Sequence, residues 1–190
     1  IEELPNKKSI CTSRSFPDEG LNNIETLEEA IANFASHCSR KLKEDRSVCG
    51  AMTVFAYTSR FRNDLPSDYL QANVYFPVPT NDVMELVSGA VKTLRGKWHS
   101  ETDCYYYKKA GVIVWDICSD SAVQGDLFDT VDREKRTALA KAIDEINLKN
   151  GFNAVRMAVQ GYDMKWRLKC EHVSKRFTTN INEIIDVHAD

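Results

Sequence analysis

Between residues 7 and 118 the apolar positions switch repeatedly between two spacings, and that rhythm restricts the fold more than any other feature. Residues 68–78 alternate: Ala72, Val74, Phe76 and Val78 fall on one side, Gln71, Asn73, Tyr75 and Pro77 on the other. That is a strand with one buried and one wet face. Leu27, Ile31, Phe34, Cys38 and Leu42 recur instead at three- and four-residue steps, the mark of a helix with a single apolar stripe. Thr26 and Glu29 have capping-box spacing and predict its start. A second helix carries Val83, Leu86, Val87, Ala90, Val91 and Leu94, after residues 79–82 stop the strand and cap it. Residues 7–16, 49–58 and 105–117 are branched or apolar runs that read as strands, and Pro17 to Gly20 reads as a turn. The predicted order is β-α-β-β-α-β. This is an α+β fold, a four-stranded sheet with two helices on one face.

The character changes at residues 119–131, which are acidic, small and turn-forming, and are read as a linker. A third helix is expected from Val131 to about Lys149, with Leu139, Ala142, Ile143 and Ile146 on one stripe and an end at Asn150-Gly151. A strand is expected over residues 152–159. The expected organisation is a domain at 1–118, a linker at 119–131 and a small α/β unit at 132–190. The chain opens on Ile1, not Met, which points to a piece of something longer. No basic-then-apolar leader is visible, and the longest apolar run, Ala110 to Trp115, is too short to span a bilayer. A cytoplasmic protein without a membrane partner is expected. Six cysteines without a C-x-x-C pair fit reduced, mostly buried thiols, and four histidines show no metal-ligand spacing.

The chemical inventory holds no dinucleotide fingerprint, no Walker A sequence, no H-E-x-x-H and no G-x-S-x-G elbow. His37, beside the Cys38 stripe, reads as a helix-boundary histidine rather than a catalytic one. No catalytic residue and no metal site are assigned, and the chain reads as a binding module. With 25 Lys+Arg against 28 Asp+Glu, the net charge of −3 gives no global basic field, so any nucleic-acid contact must be local.

Three features carry information. Lys7, Lys8, Arg14, Arg60, Arg62, Lys108 and Lys109 lie in or beside strands, with Thr12, Ser13 and Ser15 among them. Gathered on one sheet face, they suit a phosphate backbone; scattered along edges, they would only discourage aggregation. In the linker, Gln124, Leu127 and Phe128 form Q-x-x-L-F, the short bacterial sliding-clamp motif, in which Leu and Phe fill a partner's apolar pocket. The alternative is that the pair packs on the following helix. Finally, Arg156, Lys165, Arg167, Lys169, Lys175 and Arg176 outnumber Asp163 and Glu171 among interleaved Tyr162, Trp166 and Phe177. That pattern suits nucleic acid or an acidic protein partner, with Trp166 packing against the preceding helix as the plainer account.

Residues 8–16, KSICTSRSF, resemble the first strand of the little-finger domain of Y-family translesion DNA polymerases. Residues 34–42, 53–61 and 107–112 resemble its next elements in order, and the UmuC subfamily is the closest match. Gln160-Gly161, Trp166, Lys169, Ser174 and residues 176–179 resemble the small C-terminal domain of that subfamily. The resemblance implies contact with the backbone of primer-template duplex DNA through Ser9, Thr12, Ser13, Arg14, Arg60, Lys108 and Lys109, with Arg62 added by proximity. It also implies the β sliding clamp as a partner, with UmuD′ and RecA as further candidates, and a place in SOS mutagenesis. The family's catalytic palm and its Mg²⁺ carboxylates have no counterpart among these motifs, so this fragment is not expected to be an enzyme. A rival reading is an adaptor that binds clamp and partner subunits without touching DNA.

Overall fold

A computed structural model describes residues 7–17, 19–98, 105–126, 129–151, 153–168 and 173–185. The core is β1 (Ser9–Ser15), α1 (Ile24–Glu44), β2 (Ser47–Thr58), β3 (Tyr69–Thr80), α2 (Val83–Lys97) and β4 (Tyr107–Ser119). The four strands form one antiparallel sheet in the order β1-β4-β2-β3, with α1 and α2 on one face. Strand β4 lies between β1 and β2, so the first and second halves of the motif interlock around the centre of the sheet.

The apolar stripe of α1 is the keel of the core: Leu27, Ile31, Phe34, Cys38 and Leu42 are all buried against the sheet and α2. Its start differs from the expectation. Asn23, not Thr26, is the N-cap, and its Oδ1 accepts from the Thr26 amide at 2.9 Å. Asn is as good a cap as Thr, and it adds one turn to the helix. At α2, Asp82 caps as expected, accepting from Met84 and Glu85 amides at 2.7 and 3.1 Å. Glu28 of α1 is buried and is held by a two-pronged bond from Arg95 of α2, which keeps its carboxylate satisfied.

The four described cysteines are free thiols, but only Cys38 and Cys49 are buried. Cys11 and Cys118 are exposed, Cys11 because its side chain leaves β1 on the face opposite the helices. Burial pushes the Cys38 thiol up to about 11 and the Cys49 thiol up to about 12, so both are inert packing groups.

A 3-10 turn (Asp120–Ala122) leads from β4 toward α3 (Arg133–Asn150), which is capped by Asp132 and ends at Gly151. The expected apolar stripe of α3 does not face a core: none of its residues is buried, and Leu139 and Ile146 are exposed. The opposite side of the helix wins through charge. Lys43–Asp144 at 3.0 Å and Arg133–Glu85 at 2.6 Å fasten it to α1 and α2. The strand expected over residues 152–159 is absent among the described residues, where the only regular element is a 3-10 turn, Ala158–Gln160.

That turn begins the real attachment of the C-terminal unit. Gln160 is buried, and its backbone oxygen accepts from Asn33 Nδ2 of α1 at 2.8 Å. Trp166, 4% exposed, sets its ring edge-on to Phe34 at 5.3 Å and donates to Glu29 Oε1 at 3.1 Å. Gly161 has φ +60 and lies so close to the Glu29 carboxyl that any side chain there would collide with it. Trp166 therefore does pack on a helix, but on α1 rather than on α3. The helix layer is sandwiched between the sheet and this C-terminal segment.

Candidate nucleic-acid interface

The sheet face opposite the helices is open: no other described element packs on it. Strand register sets its side chains in four cross-strand rows. Ser15, Lys109, Tyr57 and Tyr69 form the first, and Ser13, Gly111, Phe55 and Gln71 the second. Cys11, Ile113, Thr53 and Asn73 follow, then Ser9, Trp115, Ala51 and Tyr75. These rows contain hydroxyls, amides, aromatic rings and one cation; past the last of them, the exposed carboxylate of Asp116, at φ +55 in the bulge after Trp115, covers Gly50.

The face is internally braced. Trp115 Nε1 donates to Thr53 Oγ1 at 2.9 Å, and that hydroxyl donates to Asn73 Oδ1 at 2.9 Å. Tyr75 meets the Trp115 ring edge-on at 5.8 Å, while Phe55, Tyr57 and Tyr69 stack in sequence at 6.2 Å between neighbours. Gly111 is what lets this happen: a Cβ there would stand 2.5 Å from Ser13 Cβ and 2.6 Å from Phe55 Cζ. The missing side chain lets the Phe55 ring lie across β4 and leaves the backbone near Ser13 approachable.

The residues expected to touch DNA are only partly gathered here. Ser9, Ser13 and Lys109 stand on the open face. Arg60 is exposed in the β2–β3 loop, next to Phe61, which is 95% exposed. Thr12 points the other way: it is 7% exposed, and Cys38 donates to its hydroxyl at 3.4 Å, so only its backbone can serve a ligand. Arg14 shares that parity with Ile10 and Thr12 and leaves the edge strand on the helix side, exposed. Lys108 is the residue skipped by a bulge between the Tyr57–Lys109 and Thr58–Tyr107 pairs, and is half-buried. Arg62 is spent on neighbours, bound to Asp64 at 2.7 and 2.6 Å and to Glu19 at 3.3 Å. The same bonds hold the Asp64 carboxyl down at about 2. Its proximity to Arg60 therefore does not make it a free cation.

Gln124 is exposed after the 3-10 turn, while Leu127 and Phe128 lie outside the described residues. Among the described residues no group of three or more His, Cys, Asp and Glu side chains converges to hold a metal, and no helix is long and apolar enough to cross a membrane. Of the aromatic members of the open face, Tyr75 stands on the expected wet side of β3 and Tyr69 shares its parity, whereas Phe55, Tyr57 and Trp115 escape a reading of the sequence. β2 is so uniformly apolar that it hides which of its faces is wet; taking every second residue from Thr53 would have exposed Phe55 and Tyr57.

Residues 7–127 match the model of the impB/mucB/samB family C-terminal domain. The chain belongs to this family. Residues 137–187 match a domain of unknown function, DUF4113. Protein UmuC of Salmonella typhimurium is 32% identical over 98% of this chain and 44% of its own length, and protein ImpB of Salmonella typhimurium 31% over 96% and 42%. DNA polymerase IV of Clostridium acetobutylicum is 24% identical over 73% of this chain and 33% of its own. The chain thus spans less than half the length of the curated relatives it matches. The first family model ends in the segment that links β4 to α3, and the second begins inside α3.

Proposed function

We propose that this chain is the C-terminal, non-catalytic portion of a Y-family translesion DNA polymerase of the UmuC type. In this reading residues 1–118 are the little finger and lay their open sheet face on the sugar-phosphate backbone of primer-template DNA. Residues 119–131 tether the enzyme to the sliding clamp through Gln124, Leu127 and Phe128, and residues 132–190 form the small C-terminal unit, with UmuD′ and RecA as candidate partners of the parent protein. Nucleotidyl transfer and its Mg²⁺ belong to the rest of the parent protein, which acts in SOS mutagenesis in the nucleoid.

The observation that carries this reading is the uncovered face whose four rows hold hydroxyl and amide groups, rings and Lys109, with the Asp116 carboxylate in the bulge past the Trp115 row. Hydroxyls of Ser9, Ser13 and Ser15 and the backbone opened by Gly111 offer donors to phosphate oxygens, with Lys109 and Arg60 supplying charge. Such contacts never inspect the base, so a damaged template is held as firmly as an intact one. A tether adds effective concentration at the primer end without new contacts.

The test pairs two double variants. Neither Arg60 nor Lys109 belongs to the buried core, so reversing both charges leaves the packing in place. Arg60→Glu with Lys109→Glu is expected to weaken primed-duplex binding by about tenfold or more and leave clamp binding intact. Leu127→Ala with Phe128→Ala is expected to do the reverse. Unchanged duplex affinity in the charge-reversal variant would favour the adaptor reading instead.

A further inference from the structure

Docking of the C-terminal segment does more than cover α1. With Trp166 seated on Phe34, the next residue, Arg167, is held with its guanidinium 5.5 Å from the Trp166 ring centre and exposed. His37 lies one helical turn further along α1, and Lys41 one turn beyond that, half-exposed. The contact from Cys38 Sγ to Thr12 Oγ1, at 3.4 Å, ties this part of α1 to β1 two residues from exposed Arg14. Three elements distant in sequence thus bring cations to the surroundings of His37. The electrostatics of His37 agree: after burial itself, the charges that most depress its imidazole are Arg40, Arg167, Lys41 and Arg14.

We propose that Arg14, Lys41 and Arg167 form a second phosphate-binding surface, completed by the docked C-terminal segment, for a nucleic-acid strand that runs off the open sheet face across the β1 edge. This extends the reading above and rests on it. Continuity favours nucleic acid over an acidic protein. Ser13 and Ser15 face the open side of the edge strand while Arg14, between them, faces the helix side, so one short stretch of β1 serves both surfaces. Separate cations strung from the strand edge to the helix match the repeated single charges of a phosphate chain. Arg40 contributes less, because it is paired with Glu44 at 2.7 Å. A consequence follows for the parent protein: the surface is complete only while Trp166 is docked, so whatever displaces the C-terminal segment also shortens the grip on DNA.

The experiment uses the whole 190-residue chain and a fluorescent primed duplex, titrated over a salt series. Lys41→Ala with Arg167→Ala, two residues outside the sheet-face set, is expected to weaken binding about tenfold and to make the log affinity–log salt slope shallower by about 2, near 0.9 per lost phosphate contact. Lys41→Arg with Arg167→Lys, which keeps both charges, is expected to stay close to the parent chain. Unchanged affinity and slope in the alanine pair, while Arg60→Glu with Lys109→Glu still loses binding, would overturn this surface and leave the sheet reading standing. Absence of any salt-dependent duplex binding by the unsubstituted chain would remove both. Loss of binding to a polyglutamate peptide in the alanine pair, with duplex binding intact, would overturn the proposal in favour of an acidic protein partner.

Discussion

Parity along one strand separates what neighbouring residues can do. Ser13 looks out over Gly111 and Phe55, whereas Arg14 looks back past Ala110 toward the helix layer. This much was legible in the sequence, because Ile10, Thr12 and Arg14 share one register and Ile10 has to be inside. The expectation that places Thr12 and Arg14 with Ser9 and Ser13 groups residues by type and ignores alternation. His37 shows the same limit from the other side: its place on the helix predicts a boundary histidine, but the charges around it come from β1 and the C-terminal segment as well as from its own helix. Burial and those cations hold its folded-state affinity for a proton below that of the unfolded chain, so unfolding takes up a proton as pH falls below about 6.5. Stability contributed by neutral His37 is therefore present above that pH and lost beneath it. Urea unfolding at pH 7.5 and 5.5 is expected to show a drop in stability that His37→Gln reduces; an equal drop in both proteins would contradict the account.

Helices α1 and α3 carry apolar stripes of similar spacing, yet only that of α1 is buried. Local periodicity says that a stripe exists and not whether a partner reaches it. For α1 the partners are the adjoining strands and α2, elements the same periodicity revealed, so this part of the fold could be read directly. For α3 the partners are Lys43 and Glu85, and such exposed or half-exposed pairs are weak and screened by salt. Trp166 is misassigned from sequence for a related reason. Its partners Phe34 and Glu29 lie more than a hundred residues earlier, beyond the reach of any spacing rule. Removal of a buried Trp side chain costs about 3–5 kcal/mol, and here the cost falls on one attachment. Trp166→Ala is expected to abolish amide-exchange protection around Gln160 and Gly161 while central β2 and β4 amides stay protected. Equal loss in the sheet would mean that the segment is part of the cooperative core.

At the scale of the molecule, an acidic chain presents two different surfaces. The net charge of −3 forbids a general attraction to nucleic acid, so binding depends on where the fold places a few groups. One face of the sheet is committed to the helices, and the other is left with rings, hydroxyls and amides that no described element covers. The three tryptophans report on this division without any substitution: Trp115 lies on the open face, whereas Trp98 packs against buried Tyr107 and Trp166 against Phe34. The most direct measurement follows the three indole N–H signals by NMR while primed duplex is added to the chain. The Trp115 signal, whose proton is shared with Thr53, is expected to shift most and the Trp98 signal to stay in place. A Trp115 signal that does not move at saturating duplex would contradict the claim that this face holds DNA.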